Sequence, residues 1–437
     1  MSRSRKRREP FQVAIENLSH EGRGVGRVNG KTVFVAGALP GEHVLARKIR
    51  GRKSFDEAIA LEIENPNPAR VEAKCPHYEI CGGCSLQHLS EERQISHKQS
   101  VLLELFQHHA GAEPAELMAP LSASPRHYRR RARLGVKFVE KKGGVLVGFR
   151  EKASPYIADI HRCEVLHESV GYRLDELRAL IEKLSIKSKI PQLEVAVGDD
   201  STALIVRHLE PFENADIQHL EAFQTESGIS LFLQPKGEDS VHPLNEQTRS
   251  LHYSVGNLRF EFTPNNFIQI NQTINRKMIA LVLESLALEH DDRVLDLFCG
   301  LGNFTLPIAE KAQSVHGVEG DEALVKLARN NAAANNLSNA TFTAMNLAAP
   351  ELLADLAIHQ YNKILLDPPR SGAEEILLTG SLQHIESLVY VSCNPVTLAR
   401  DAGHLIKTHG FKLAKLGVMD MFPHTSHVES LAVFARK

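Results

Sequence analysis

The chain has 437 residues, of which 43% are hydrophobic and 24% charged, and its formal net charge is −2 at pH 7. A chain of this length and composition is predicted to form about three domains with buried cores, which excludes a disordered protein. No run of about 18 apolar residues occurs and no apolar segment follows the basic N-terminus, so we predict neither a membrane span nor a secretory signal, and a cytoplasmic location.

Positive charge is concentrated in short segments, since the net charge gives no general attraction to nucleic acid. A basic tail is predicted at residues 1–9, and a second basic cluster lies within residues 47–53. Such clusters suit phosphate backbones, although each also suits a solvated surface. The strongest candidates for RNA contact form a run of arginines without an intervening acid: Arg126, Arg129, Arg130, Arg131 and Arg133.

Residues 10–68 are predicted to form a small β-barrel of the oligonucleotide-binding kind, because short β-rich runs alternate with glycine-rich turns. Residues 69–262 are predicted to form a central domain, with a helix that Ser90 caps. Within it, residues 126–262 are predicted to form an antiparallel sheet with one helical segment near residues 165–184. Residues 263–437 alternate apolar strands with helical patterns, which is typical of a doubly wound α/β domain.

Four of the six cysteines form a pattern: Cys75, Cys81 and Cys84 share one glycine-rich loop, and Cys163 follows in an H-R-C motif. In a reducing compartment, clustered thiols indicate metal binding rather than disulfides. Four thiolates suit either zinc or an iron–sulfur cluster, and composition does not separate the two. The single C-x2-C knuckle is unlike a zinc ribbon, and the spacing from Cys75 to Cys81 is unlike that of radical enzymes.

The start of the α/β domain has the pattern of a nucleoside-binding turn. An apolar strand at Val294 runs into a G-x-G turn that ends at Gly302, and the next strand ends in Glu319. Glycines allow a close backbone approach to a ligand, and the acid suits ribose hydroxyls. The third glycine of dinucleotide-binding proteins is missing, which favours S-adenosylmethionine, a ligand without phosphates.

Two later strands end in chemically active residues, Asp367 in D-P-P-R and Cys393 in C-N-P. Ligands of open α/β sheets lie beyond the carboxyl ends of the strands, so both side chains are predicted to face one crevice. A thiolate that adds to carbon 6 of uracil makes carbon 5 nucleophilic enough to take a methyl group. We therefore predict Cys393 as the nucleophile, in a site that favours its thiolate.

Two choices at this site stay open from the residues alone. Cys299 is the competing thiol, but its position inside the G-x-G turn favours a small buried residue. A base must remove the proton from carbon 5 after methyl transfer. Glu429 is one candidate for this base, and His424 and His427 are its alternatives.

Taken together, these motifs resemble those of the RNA uracil-5-methyltransferases over nearly the whole chain, including the segment F-I-Q-I-N at residues 267–271. The resemblance implies a TRAM-like barrel, a 4Fe–4S cluster held by the four patterned cysteines, Cys393 as nucleophile and Glu429 as base. It implies 5-methyluridine formation at uridine 1939 of 23S rRNA by a monomer with no obligate protein partner and no membrane. It also implies S-adenosylmethionine contacts from Gln269, Phe298, Asn303, Glu319, Asn346 and Asp367.

Alternative functions remain. The same chemistry on a tRNA T-loop uridine or on another 23S rRNA uridine would use the same residues. An RNA-binding iron–sulfur sensor with an inert catalytic domain is a different class, and intact Cys393, Asp367 and Glu429 argue against it. An amino-group methyltransferase would use D-P-P-R but would not need a thiol, so replacement of Cys393 would leave it active.

Overall fold

The computed structural model describes residues 9–349, 356–379 and 382–436 and divides into two compact units. Unit 1 comprises Met1–Val101 and Phe422–His427, and unit 2 comprises Leu102–Met421 and Val428–Lys437. Eight residues of the predicted basic tail, 1–8, lie outside the described residues. Within the described ranges, no helix has both the length and the apolar character needed to cross a membrane.

Unit 1 contains a closed five-stranded barrel in the order β1-β2-β3-β5-β4, which confirms the predicted barrel. Alternate residues of its strands point inward, and Val33, Val35, Val44 and Ala46 form much of the buried core. This period of two is what a barrel with one apolar face requires. The strands are β1 (Phe11–Leu18), β2 (Gly24–Val28), β3 (Lys31–Ala36), β4 (His43–Gly51) and β5 (Phe55–Glu64).

The remainder of unit 1 is a loop-rich region that ends in helix α1 (Glu91–Leu105), within which the boundary between the units falls. The buried side chain of Gln94 ties the late segment Phe422–His427 to this region. Its Oε1 accepts a hydrogen bond from the backbone N–H of His424 at 2.9 Å. The carbonyl of His424 in turn accepts from the backbone N–H groups of Ser85 and Leu86, each at 2.9 Å.

Unit 2 begins with the short strand β6 (Glu116–Leu117), followed by a six-stranded central sheet in the order β12-β11-β10-β9-β7-β8. The strands are β7 (Arg131–Val139), β8 (Gly144–Gly148), β9 (Gln192–Val197), β10 (Thr202–Arg207), β11 (Ser230–Gln234) and β12 (His242–Pro243). Its helices are α2 (Glu168–Gly171), α3 (Leu174–Lys183) and α4 (Asn214–Ser227).

The prediction that this sheet is antiparallel is wrong for one strand pair. Strands β10 and β11 are parallel, with Ala203 opposite Ser230. Parallel neighbours need a long crossover connection, and helix α4 supplies it. The sequence pattern indicates a single helical segment within residues 126–262 and shows no sign of α4, so the connection between β10 and β11 was not predicted.

An antiparallel hairpin and a helix connect the central sheet to the catalytic sheet: β13 (Leu251–Val255), β14 (Leu258–Phe262) and α5 (Gln272–Leu286). The catalytic sheet has eight strands in the order β17-β16-β15-β18-β19-β21-β20-β6. Its strands are β15 (Arg293–Leu297), β16 (Ser314–Glu319), β17 (Ala340–Ala344), β18 (Lys363–Leu366), β19 (Ser387–Ser392), β20 (Lys412–Met419) and β21 (Glu429–Ala435). Its helices are α6 (Thr305–Ala309), α7 (Glu322–Ala334), α8 (Glu374–Thr379) and α9 (Pro395–Lys407).

The arrangement of this sheet confirms the predicted doubly wound α/β domain and fixes where a site can form. Strands β15 to β19 are parallel to one another, so their carboxyl ends meet at one edge. Strand β21 lies antiparallel between β19 and β20 and therefore begins at that same edge. Ligands of open α/β sheets bind at this edge.

Candidate active site

Five of the residues predicted for the site lie at the carboxyl edge of the catalytic sheet. Phe298, Asp367 and Cys393 directly follow β15, β18 and β19, and Glu319 is the last residue of β16. Asn346 follows β17 by two residues and is exposed. The parallel strands thus bring together residues that are up to 95 positions apart in the chain, Phe298 and Cys393 being the extremes.

Cys393 and Glu429 are brought together by the register of two antiparallel strands. Ser392 pairs with Ser430, so one step further along the ladder places Cys393 opposite Glu429. Cys393 is partly exposed, whereas Glu429 is only 7% exposed. A half-buried thiol beside a buried carboxylate suits a nucleophile and a proton acceptor that act on the same base.

The electrostatic environment of Cys393 differs from the prediction. Burial, together with the nearby carboxylates of Glu429 and Asp367, raises the pKa of the Cys393 thiol to about 11. The guanidinium of Arg370 opposes this shift. The prediction that the site favours the thiolate is therefore wrong for the ligand-free protein, because burial and two neighbouring acids disfavour a further negative charge.

Arg370 is held at this position by the start of helix α9. The side-chain amide of Asn394 donates to the carbonyl of Arg370 at 2.8 Å, and Arg400 donates to the carbonyl of Ser371 at 2.9 Å. The buried carboxylate of Asp401 accepts from the backbone N–H of Ala373 at 2.8 Å. The loop after Asp367 is thus fixed, and with it Arg370, whose positive charge lowers the pKa of Cys393.

A further acid, Asp296 of β15, lies near this edge and was not predicted from the sequence. It is completely buried, and burial raises its pKa to about 7. One oxygen accepts from the hydroxyl of Thr305, and the other has no hydrogen-bond partner among the described residues. Burial, Glu429 and Asp296 together raise the pKa of Asp367. Buried acids with raised pKa values suit a ligand that carries positive charge.

Glu319 holds the glycine-rich turn as well as facing the edge. Its carboxylate accepts backbone N–H groups from Gly300 at 3.1 Å, Gly320 at 2.7 Å and Asp321 at 3.1 Å. Phe298 adopts a positive φ of 66°, which is unusual for a residue with a side chain. The turn is therefore fixed in a sharp conformation before any ligand binds, and Glu319 keeps lone pairs for ribose hydroxyls.

Asn303 is fixed by partners that the sequence did not reveal. Its side chain exchanges hydrogen bonds with Asn275 of α5 at 2.9 and 3.0 Å, and its oxygen also accepts from the hydroxyl of Tyr253 at 2.9 Å. Gln269 lies in the segment before α5, where the carbonyl of Ile270 accepts the backbone N–H of Arg130 at 2.9 Å. Both predicted ligand contacts thus sit on segments anchored to neighbouring elements of unit 2.

The competing thiol, Cys299, lies in a different environment from Cys393. Cys299 is 4% exposed, and burial raises the pKa of its thiol well above the ordinary range. The exposure of the two thiols therefore favours Cys393 over Cys299 as the nucleophile. The choice of Glu429 rather than His424 or His427 as the base stays a prediction.

Most side chains of the predicted arginine run contact other residues of unit 2. Arg130 pairs with Asp199 at 2.7 Å, Arg131 lies 3.6 Å from Glu194, and Arg129 covers the ring of Phe149. The remaining two members are exposed: Arg126 and Arg133. RNA contact stays a prediction for the run, and the exposed pair are its best-placed members.

The metal prediction also stays a prediction. Cys75, Cys81 and Cys84 are partly buried in unit 1, and Cys163 is buried in unit 2. Across the part of the chain that the structure describes, no group of three or more His, Cys, Asp or Glu side chains is arranged to hold a metal ion. The loop nevertheless has the chemistry of a cluster site, since the backbone N–H of Gly83 donates to the sulfur of Cys81 at 3.4 Å.

Comparisons with known proteins agree with this architecture. The family model for tRNA (uracil-5-)-methyltransferase matches residues 90–437, and the TRAM domain model matches residues 4–53. Proteins named 23S rRNA (uracil(1939)-C(5))-methyltransferase RlmD, from Alkalilimnicola ehrlichii and Hahella chejuensis, are 50% and 48% identical to this chain. Both alignments cover 100% of this chain, and they cover 99% and 100% of those proteins.

A solved structure shows the same fold over almost the whole chain. Pyrococcus abyssi tRNA (uracil-54, C5)-methyltransferase, in complex with S-adenosyl-L-homocysteine, superposes with a TM-score of 0.75 at 23% sequence identity. The match covers 97% of this chain and 100% of that one.

Proposed function

Since the chain belongs to the tRNA (uracil-5-)-methyltransferase family, we propose that it transfers a methyl group from S-adenosylmethionine to carbon 5 of uridine 1939 in 23S rRNA. The observation that carries this proposal is the register of β19 and β21, whose last pair, Ser392 with Ser430, brings the adjacent residues Cys393 and Glu429 to the same edge. Full-length relatives named for this reaction support the choice of substrate. Ribosomal RNA as substrate implies a cytoplasmic enzyme.

In the proposed reaction, the sulfur of Cys393 bonds to carbon 6 of the uracil, and the resulting enolate makes carbon 5 a carbon nucleophile. S-adenosylmethionine would supply the methyl group: its bond to the sulfonium sulfur breaks as the bond to carbon 5 forms, and S-adenosylhomocysteine is the leaving group. Glu429 then accepts the proton from carbon 5, and elimination across carbons 5 and 6 releases the thiol and restores the aromatic base. The product is 5-methyluridine.

The carboxylates near Cys393 would link binding of the methyl donor to the pKa of this thiol. Asp367 and Asp296 are the acids best placed to hold a positively charged methyl donor. A cationic donor beside Asp367 would offset one of the carboxylates that raise the pKa of Cys393, so that pKa would fall toward the ordinary range. The thiol would then become reactive only when the donor is present. The remaining proposed donor contacts are Gln269, Phe298, Asn303, Glu319 and Asn346.

We also propose that Cys75, Cys81, Cys84 and Cys163 ligate a 4Fe–4S cluster. Four thiolates are the usual ligand set of such a cluster, and backbone N–H donors to sulfur are typical of its surroundings. The cluster's contribution would be folding free energy, because ligation links distant segments of the chain. Anaerobic purification should yield about four iron atoms per chain, and Cys81→Ser should lower both the iron content and the unfolding temperature.

The decisive experiment is methylation of unmodified RNA by anaerobically purified protein, followed by mass spectrometry of the nucleosides. The proposal expects 5-methyluridine at one site of 23S rRNA, abolished in Cys393→Ala. Product only in tRNA would retain the chemistry and overturn the substrate. A methylated exocyclic amine, or methylation that survives Cys393→Ala, would overturn the C5 mechanism.

A further inference from the structure

A groove of about 790 Å³ lies on the central sheet of unit 2, and none of the candidate active-site residues lines it. Its lining comes from β7, β8, the segment 149–157 and residues 191–192. Two glycines allow these elements to pack closely. A Cβ at Gly135 would lie 2.2 Å from Ile157, and one at Gly148 would lie 2.7 Å from Ile160. The shape of the groove therefore depends on glycine at both positions.

The groove is strongly basic. Four exposed cations line it against a single acid, Glu151. Lys142 lies 3.8 Å from that acid, whereas two of the other cations, Lys137 and Arg150, make no ion pair with any residue that the structure describes. The fourth cation, Arg133, is 62% exposed and shared with Glu194 and Glu238. Unneutralised cations around a concave surface attract a polyanion.

The groove also offers a surface for a flat ring. Tyr156 lines it and is 70% exposed, which is unusual for so large a side chain with no packing role. Apolar atoms of Val136, Val139 and Ile157 form the neighbouring wall. Basic side chains interleaved with an exposed aromatic ring and apolar walls are the features that bind single-stranded nucleic acid, with phosphates on the cations and bases stacked on the ring.

Strand β7 links this groove to the segment that carries Gln269. At its start, the backbone N–H of Arg130 donates to the carbonyl of Ile270, and Arg131 donates to the carbonyl of Asn266. Lys137 lies six residues beyond Arg131, about 20 Å along an extended strand. A single RNA strand is long enough to contact both ends of β7, so the groove and the catalytic edge of unit 2 can serve one substrate.

We propose that this groove, called the β7 groove below, binds a single-stranded segment of the substrate RNA outside the target uridine. Phosphates would contact Lys137, Lys142 and Arg150, and one base would stack on Tyr156. The identity of the RNA rests on the proposed function, but binding to the groove can be measured without methylation. The groove would therefore act on substrate affinity and leave the chemical step unchanged.

The test measures binding of an unmodified 23S rRNA transcript to full-length holoprotein over a series of salt concentrations. Lys137→Glu/Arg150→Glu should weaken binding at least tenfold and reduce the salt dependence by about 0.7 for each phosphate that the variant no longer neutralises. Tyr156→Ala should weaken binding about tenfold with little change in salt dependence. In both variants, KM for RNA should rise while kcat at saturating RNA stays unchanged.

A control of equal charge separates the groove from general electrostatics. Lys183→Glu/Lys326→Glu changes two exposed lysines that do not line the groove, so RNA affinity should stay within about twofold of the wild type. Thermal unfolding checks that all variants fold. Unchanged affinity in the folded groove variants, as expected if the groove served a protein partner, would overturn the inference, and so would an equal loss in the control. RNA binding that depends on the groove without any methylation would overturn only the proposed function.

Discussion

The ends of strands β15 and β19 carry the same side chain at the same edge of one sheet, yet they create opposite environments. Cys299, two residues beyond β15, is enclosed by the glycine-rich turn, and a Cβ at Gly317 of the neighbouring strand would lie 2.8 Å from its sulfur. Cys393, one residue beyond β19, is partly exposed and lies opposite Glu429. The reactivity of a thiol at this edge is thus set by what the adjacent strand places beside it.

The largest expected effect is that of replacing Cys393, the partly exposed thiol after β19. Cys393→Ala removes the sulfur that bonds to carbon 6, so methylation should fall by at least about 10⁴-fold. S-adenosylmethionine affinity and the unfolding temperature should remain near those of the wild type. Single-turnover assays with isotopically labelled methyl donor would measure the loss. Substantial remaining activity would mean that Cys393 is not the nucleophile.

Glu429→Gln should have the next largest effect, because an amide cannot accept the proton from carbon 5. Methylation should slow by about 10²- to 10⁴-fold. Since the methylated adduct cannot eliminate, a covalent protein–RNA complex should accumulate, visible as a band that survives denaturing electrophoresis. Slow turnover with no trapped complex would show that a residue other than Glu429 accepts the proton from carbon 5.

Asn275→Ala tests the glycine-rich turn after β15, where Cys299 and Asn303 lie. It removes the reciprocal hydrogen bonds that fix Asn303, so S-adenosylmethionine should bind about tenfold more weakly. Calorimetry would measure the affinity, and kcat at saturating donor should change little. Asn257→Ala, which alters an exposed asparagine of unit 2 outside this network, provides the control. An unchanged affinity for the donor in Asn275→Ala would show that the network is not needed for binding.

The pH dependence of alkylation should reveal the raised pKa of Cys393 in the ligand-free protein. Because the pKa of Cys393 is raised to about 11, its rate with iodoacetamide should keep rising from pH 7 to pH 10, beyond the point at which an ordinary thiol levels off. Glu429→Gln removes a negative neighbour, so the pKa should fall and alkylation at pH 8 should become faster. Arg370→Ala should do the reverse. Peptide mass spectrometry would follow Cys393 separately, and a plateau below pH 9 would contradict the raised pKa.

The smallest effect is expected for Cys299→Ala. This thiol is buried and protonated, so its removal should leave methylation within about threefold of the wild type and cost about 1 kcal/mol of unfolding free energy. Chemical denaturation and the same single-turnover assay would measure both. A loss of activity comparable to that of Cys393→Ala would show that enclosure in the turn does not make a thiol inert.

The sequence predicted those features that are local to a strand and the turn after it. Glu319, Asp367 and Cys393 were identified because each ends an apolar run, and parallel strands must bring their ends to one edge. The partners of Asn303 were missed because Tyr253 and Asn275 lie in a hairpin and a helix whose contacts have no local signal. The same limitation hid the ion pairs of the arginine run and the crossover helix α4.

The raised pKa of Cys393 was mispredicted for a related reason. The shift comes from burial and from the carboxylates of Glu429 and Asp367, which different strands carry. Only the strand order β18-β19-β21 brings these two acids to either side of the thiol. A residue type can therefore be assigned to a catalytic task from sequence, whereas its protonation state depends on neighbours that only the fold supplies.

The position of β21 has a consequence for the newly made protein. Strands β15 to β19 precede β20 and β21 in the chain, so the donor-binding edge and the nucleophile leave the ribosome before the base does. Until β21 enters between β19 and β20, the edge of β19 is unpaired and Cys393 has no proton acceptor opposite it. On the proposed mechanism, a nascent chain at that stage could form a bond to RNA but could not complete turnover, so insertion of β21 would be the step of synthesis that completes the catalytic site.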